Sequence, residues 1–427
     1  MPLLAALSPA DVNIRILIAV ATVLVAARLC GWLVSKVGQP QVHGEILSGI
    51  ILGPSLLGLV WPGANDFLFP AEIVGALKVL AQLGLVLFMF LIGLELDLPQ
   101  LRGQGHKAVV ISHASILLPV LLGSALGWWL YPRFGGDASR LGFVLFLGAA
   151  MGITAFPVLA RVLQETGLYR TRVGVLTMTC AAVDDVTAWC VLAVVVAVVK
   201  ATGFTDALTT IALALGFVAV MLGGLKPLLA RLPAVPVWAA LALALASAWL
   251  TEEIGIHAIF GAFLAGAIMP RGHGIQAEIK QKLETATLVL LLPVFFVVVG
   301  LATRIDLLDR ADLWGITLVV IAAAIVGKWG GSAIAARLTG EAWREAHVIG
   351  ILMNTRGLTE LVILSVGLEL GVIGPTIFTI MVLMALVTTL MATPLLALVA
   401  PDYRHRWTPA HGSEVPSYGG SLDGVIS

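Results

Sequence analysis

The sequence predicts an all-α polytopic membrane protein with about 13 transmembrane helices, and three observations carry that expectation. Hydrophobic residues make up 59% of the chain and charged residues only 12%, about half the charged share of a soluble domain. Apolar runs recur between Gly, Pro or charged punctuation, and most reach the roughly 20 residues that a helix needs to cross a bilayer. Segments of the first half also reappear in the second half in the same order.

In chain order the spans fall at residues 13–37, 42–60, 74–94, 108–131, 141–163, 171–199, 205–230, 236–252, 256–270, 284–303, 312–338, 346–369 and 375–400. The first lacks a basic leader and is longer than a signal core, so it reads as a retained helix. The second carries EILSGIILGP (45–54) and the third LFMFLIGL (87–94). The fourth lies between Lys107 and Arg133, the fifth carries ITAFPVLARVL (153–163), and the sixth runs between Arg172 and Lys200. The seventh and eighth separate the two halves. The ninth is short and holds AFLAGAIMP (262–270), and the tenth holds VFFVVVGL (294–301). The eleventh lies between Asp312 and Arg337, the twelfth carries MNTRGLTELVIL (353–364), and the thirteenth opens at Pro375.

The quoted segments pair the second, third and fifth spans with the ninth, tenth and twelfth. Units of five spans with two between them must lie in opposite orientations, which is the inverted-repeat plan of secondary transporters. The expected organisation is one membrane domain, residues 1–401, with repeats at approximately 42–199 and 256–400 and a disordered cytoplasmic tail at 402–427, rich in Gly, Ser and Pro. Lys and Arg are retained in the cytoplasm. With the N-terminus outside, cytoplasmic segments hold 15 of them and external segments 6, which makes the C-terminus cytoplasmic. Zero net charge offers nothing to nucleic acid. Cys180 and Cys190 are too far apart along one helix to bond, so no structural disulfide is expected.

Asp184 and Asp185, in AAVDDVTAWC, are the only charges between Arg172 and Lys200 and therefore sit near the bilayer midplane. Ionised carboxylates there cost several kcal/mol unless they are paired or lose their charge. Lys328 and Arg356 lie equally deep in their own spans, and Lys328 is the expected partner of Asp184. Neighbours on a helix point about 100° apart, so one acid can face Lys328 while the other faces water. Asp185 is then the group on which an alkali cation and a proton exclude one another, with Asp184 and Thr154 beside it in the cation site. Hard oxygen ligands suit Na⁺ or K⁺. Glu360 stands four residues after Arg356 and can pair with it. The fifth span is interrupted at MGITAFPV, with Thr154, Ala155, Phe156 and Pro157, and the twelfth at MNTRGL, with Asn354, Thr355 and Gly357. Breaks at matching positions of two repeats point to a midplane site where half-helix ends meet.

These residues carry a resemblance. Over nearly all of residues 13–400 the sequence is similar to the monovalent cation:proton antiporter-2 family, of the Na⁺/H⁺ exchanger fold, through GEILSGIILGPSLLG (44–58), LFMFLIGLELDL (87–98), ITAFPVLARVL, VDDVTAW (183–189), GIHAIFGAFLAGAIMP (255–270), LLPVFFVVVGL (291–301) and MNTRGLTELVIL. TAFPVLAR, GIHAIFGAF and NTRGLTEL resemble the plant cation/H⁺ exchanger branch and its bacterial relatives. The resemblance implies crossed discontinuous helices at Thr154–Pro157 and Asn354–Gly357, a mobile core moving against a dimerisation domain in a homodimer, and the essential carboxylate at Asp185. The plant branch tends to have Asn before that acid, whereas Asp184 here resembles electrogenic Na⁺/H⁺ antiporters, in which the acid pairs with a lysine like Lys328.

The expected function is exchange of K⁺ or Na⁺ for H⁺ by alternating access in the plasma membrane, without an enzymatic activity or a cofactor. The alternative within the fold is a K⁺ efflux system gated by a separate regulatory subunit. An intramembrane aspartyl protease is disfavoured, because its carboxylates must face each other from two helices.

Overall fold

The computed structural model describes residues 9–401 except 38, 40, 96–104, 155–158, 160–161, 164–165, 167, 169–170, 201–203, 233–234 and 271–274. Every regular element among the described residues is helical. The helices used below are α1 (Pro9–Lys36), α2 (Gln41–Leu52), α3 (Ala71–Glu95), α4 (Gly105–Phe134), α5 (Arg140–Gly152), α6 (Arg172–Lys200), α7 (Phe204–Ala219), α8 (Val237–Ile254), α9 (Ala258–Ala267), α10 (Ile275–Ala286), α11 (Leu292–Ala302), α12 (Ala311–Ile325), α13 (Gly331–Leu338), α14 (Trp343–Met353), α15 (Leu358–Glu369), α16 (Pro375–Leu390) and α17 (Ala392–Val399).

Among the described residues, 9 helical segments are long and apolar enough to cross a membrane. The spans outside that set are informative. The fifth and twelfth are broken and the ninth is short, whereas the sixth forms one helix, Arg172–Lys200. One boundary moves. The tenth span was expected to open at residue 284, but helix begins at Ile275 and passes through a π turn (Thr287–Leu291) into α11. The added turns are amphipathic: Ile279 and Leu283 are buried, while Lys282 and Glu278 pair at 2.7 Å on the outside. An apolar-run criterion ends where such a helix leaves the hydrocarbon.

The packing joins segments that match between the two halves of the sequence. α2 lies against α11 and α3 against α9, so matched spans of the two halves exchange partners. Glycine permits both crossings. A Cβ on Gly49 would overlap the Val297 carbonyl and crowd Gly300, and one on Gly266 would overlap the Phe90 carbonyl. Gly93, seated against Phe263, completes the second crossing. Gly49 and Gly266 are the matched glycines of EILSGIILGP and AFLAGAIMP, and Gly93 and Gly300 those of LFMFLIGL and VFFVVVGL. Small residues let helix backbones approach closely where hydrocarbon supplies no hydrophobic drive.

A second group of helices holds the charges. α4 packs on α5, α6 and α13, and α14 packs on α13 and α6. Its interior between these helices is apolar, with Ile111, Leu159, Leu176, Ile349 and Leu352 fully or almost fully buried. α12 passes into α13 through a π turn at Val326–Gly330.

Candidate ion-binding site

Two interrupted spans bring backbone ends into the middle of this group. α5 stops at Gly152, and α14 stops at Met353 before α15 begins at Leu358. The breaks touch: Thr154 Oγ1 lies 3.3 Å from the Met353 carbonyl oxygen, and Arg356 Nη2 donates to the Met151 carbonyl at 2.8 Å. Ala155, Phe156 and Pro157 lie outside the described residues. In the second break Asn354 and Thr355 are buried, and Gly357 is the N-cap of α15 in extended backbone.

A helix that ends inside a membrane leaves carbonyls without donors and concentrates negative charge at its C-terminus. Here cations take those positions. Lys328 donates to the Gly152 carbonyl at 2.6 Å, and the Arg356 guanidinium reaches the carbonyls of Ala150 and Met151 at 3.4 and 2.8 Å. Arg356 also pairs with Glu360 at 3.1 Å, and Glu360 stands in the first turn of α15, where the helix N-terminus favours an anion. Thr389 of α16 bridges the second break: its hydroxyl accepts from the Arg356 amide at 2.7 Å and lies 2.7 Å from the Arg356 carbonyl.

Asp184 is fully buried and accepts from four side chains. Lys328 Nζ donates to Oδ2 at 2.9 Å, Ser115 at 2.7 Å and Thr154 at 2.8 Å, while Ser112 donates to Oδ1. Lys328, also fully buried, rides on the π turn. An extra residue per turn re-aims side chains and recurs at functional sites. Asp185 lies on α6 one residue beyond Asp184, and its side chain is outside the described residues. The structure therefore joins Asp184, Thr154 and Lys328 in one cluster and Arg356 with Glu360 in an adjoining one. Ser112, Ser115 and Thr389 are participants that sequence reasoning missed. A serine or threonine in an apolar span is common, and the only available signal was its depth, matching that of the charges.

An open cleft lies between α3, His257 at the start of α9, α11 and α15. Lys78, Gln82, His257, Ser365 and Glu369 supply its polar lining. His257 N-caps α9 with its backbone at φ 81°, and its Nε2 is 4.0 Å from Glu369.

Residues 24–400 match the family model described as sodium/hydrogen exchanger, transmembrane. The chain belongs to this family. It is an integral, multi-pass membrane protein of a transporter family. It is 42% identical over 415 residues to the Na⁺/H⁺ antiporter NhaS4 of Synechocystis, covering 92% of this chain and 100% of that protein. It is 37% identical to cation/H⁺ antiporter 17 of Arabidopsis thaliana, covering 92% of this chain and 50% of that one. Identity to K⁺/H⁺ antiporter 1 of Saccharomyces cerevisiae is 32%, over 86% of this chain and 44% of that one. The chain thus spans the cyanobacterial relative entirely and about half the length of the plant and yeast relatives. The fold matches the sodium proton antiporter MjNhaP1 of Methanocaldococcus jannaschii at pH 8 with a TM-score of 0.65 and 16% identity, over 93% of this chain and 100% of that one.

Proposed function

We propose that this protein is a secondary antiporter that exchanges a monovalent cation, K⁺ or Na⁺, for H⁺ by alternating access, with cation and proton competing for Asp185. The observation that carries this reading is the neutralised pair beside it: Asp184 and Lys328, both fully buried, are 2.9 Å apart. Arg356 and Glu360 form a second such pair at 3.1 Å. Four of the five ionisable groups expected at this depth cancel, and the count leaves one carboxylate, that of Asp185. A carboxylate at midplane needs a positive partner. A proton or an alkali cation supplies one, and whichever binds displaces the other. The Thr154 hydroxyl donates to Asp184 and keeps acceptor lone pairs for a cation.

Alternating access is supported by the open cleft lined by α3, His257 and α11 together with α15. The crosswise glycine contacts support inverted repeats over approximately 42–199 and 256–400. The reading includes a homodimer in the plasma membrane, with the N-terminus outside and the C-terminus cytoplasmic, as the Lys and Arg distribution favours. The relatives named above are described as Na⁺/H⁺, K⁺/H⁺ and cation/H⁺ antiporters.

The test is ΔpH-driven uptake of K⁺ and Na⁺ into proteoliposomes. Asp185→Asn abolishes uptake of both while the purified variant keeps the wild-type elution profile and helical circular dichroism. Uptake retained in that variant would remove Asp185 from the exchange.

A further inference from the structure

An ionised carboxylate offers about four good acceptor positions. Among the described residues Asp184 accepts four hydrogen bonds, three on Oδ2 and one on Oδ1, and of these donors only Lys328 carries a charge. Lys328 cancels the charge of Asp184 but makes a single hydrogen bond to it. On Oδ1 the donor is Ser112. Ser112 and Ser115 are three residues apart on α4, hence on one helical face, and both are fully buried. Their neighbours Ile111 and Ile116 supply apolar packing that does not depend on the hydroxyls. Ser115 also lies 3.4 Å from Lys328 Nζ, and its single proton is within reach of both Asp184 and the Ser112 carbonyl. The charged acceptor makes the stronger bond.

We propose that Ser112 and Ser115 are positioning residues that each occupy an acceptor site of Asp184, one on Oδ1 and one on Oδ2, and so keep the transported cation on one carboxylate, that of Asp185. The inference rests on the exchange role of Asp185 given above. Without the two hydroxyls, Asp184 remains an anion held by Lys328 and Thr154, with Oδ1 short of a donor in a buried place. Alkali cations seek oxygen ligands. A second carboxylate one residue from Asp185 is then open to them, and with two anionic ligands the contact attraction, which grows as distance shrinks, outweighs the larger dehydration cost of the smallest cation. The serines thereby act on ion selectivity: they withhold a ligand that would favour Li⁺ over K⁺.

The experiment compares apparent KM values for Li⁺, Na⁺ and K⁺ in ΔpH-driven uptake by wild type, Ser112→Ala, Ser115→Ala, the double alanine variant and Ser115→Thr. In the double alanine variant the ratio of the K⁺ to the Li⁺ KM rises about tenfold, the worth of one charge-assisted hydrogen bond. The single variants shift less, and Ser115→Thr, which keeps the hydroxyl, stays at the wild-type ratio. Cation-induced thermal shifts of the same proteins in detergent read the same ratio without requiring turnover. An unchanged ratio in the double alanine variant, or an equal shift in Ser115→Thr, overturns the proposal. Asp185→Asn measured alongside separates the two readings. Uptake that survives it removes the exchange role of Asp185, whereas an inactive Asp185→Asn with an unchanged serine ratio removes only the positioning role of Ser112 and Ser115.

Discussion

Asp184 and Glu341 are both buried carboxylates, and both tie α4 and α6 to the second half of the chain. Asp184, on α6, is held by Ser112 and Ser115 of α4 and by Lys328 of the π turn. Glu341, in the loop between α13 and α14, is held by Lys107 of α4 and Arg172 of α6, each at 2.8 Å. The side chains of Asp184 and Lys328 are both 0% exposed. Glu341 is 1% exposed, but Lys107 and Arg172 are 38% and 61% exposed. The difference follows the solvent. At the edge of the helical body two cations can share one carboxylate because each keeps much of its hydration. In the interior a second ammonium would lose all of its hydration, and several kcal/mol per ion is the penalty for that. Neutral hydroxyls satisfy the same lone pairs without adding charge.

Breaking the interior pair gives the largest effect. Lys328→Met leaves Asp184 buried without its counter-charge and costs about 3–5 kcal/mol of stability, visible as a lower thermal midpoint of the purified protein in detergent. Adding Asp184→Asn restores most of the loss, because the uncompensated charge is then gone. If the single variant melts like wild type, the hydroxyls alone hold Asp184 and the contrast with Glu341 disappears.

Glu341→Gln comes next, at about 1.5–3 kcal/mol, the range for a hydrogen bond to a charged group; the exposed partners hold it toward the lower end. This site also has a pH signature. Burial alone would push the Glu341 carboxyl up, but the hydrogen bond from Lys107 and the charges of Arg172 and Lys107 outweigh it and hold the group below the ordinary value of 4.5. A depressed folded value means that the stabilisation is complete above the unfolded value and fades as pH falls through the folded one. The wild-type midpoint therefore drops more steeply than that of Glu341→Gln on acidification below about pH 4.5. Parallel curves would show that Glu341 titrates as it does in the unfolded chain.

The contrast also marks what the sequence could disclose. Charge is conspicuous in an apolar run, so Asp184, Lys328 and Arg356 could be singled out from composition alone, and the glycines at the helix crossings were legible because they recur at matching places in similar strings. The neutral half of the site was not. Ser112 and Ser115 stand 72 and 69 residues from Asp184, and a hydroxyl in a membrane helix ordinarily satisfies itself on its own backbone, as Thr388 does on Met384. Thr389 was hidden for the same reason. The π turn that carries Lys328 leaves no mark beyond nearby glycines, which also suit close packing. Glu341 reads as an ordinary loop acid because nothing local distinguishes a carboxylate covered by two distant cations from one facing water.

The smallest effect tests the exposed side of the contrast most directly. Lys107→Ala removes one cation from Glu341 but leaves both contacts from Arg172, at 2.8 and 3.0 Å. With Lys107 38% exposed, solvent already screens much of its attraction, so the loss stays at or below about 1 kcal/mol. Salt discriminates further. Raising ionic strength toward 1 M shortens the screening length to about 3 Å, and the difference in thermal midpoint between Lys107→Ala and wild type shrinks accordingly. The Lys328→Met difference does not, because no ions enter between two groups that are both 0% exposed. A Lys328→Met penalty that fades with salt as fast as the Lys107→Ala penalty would mean that water reaches Asp184, and the two carboxylates would then differ in depth but not in environment.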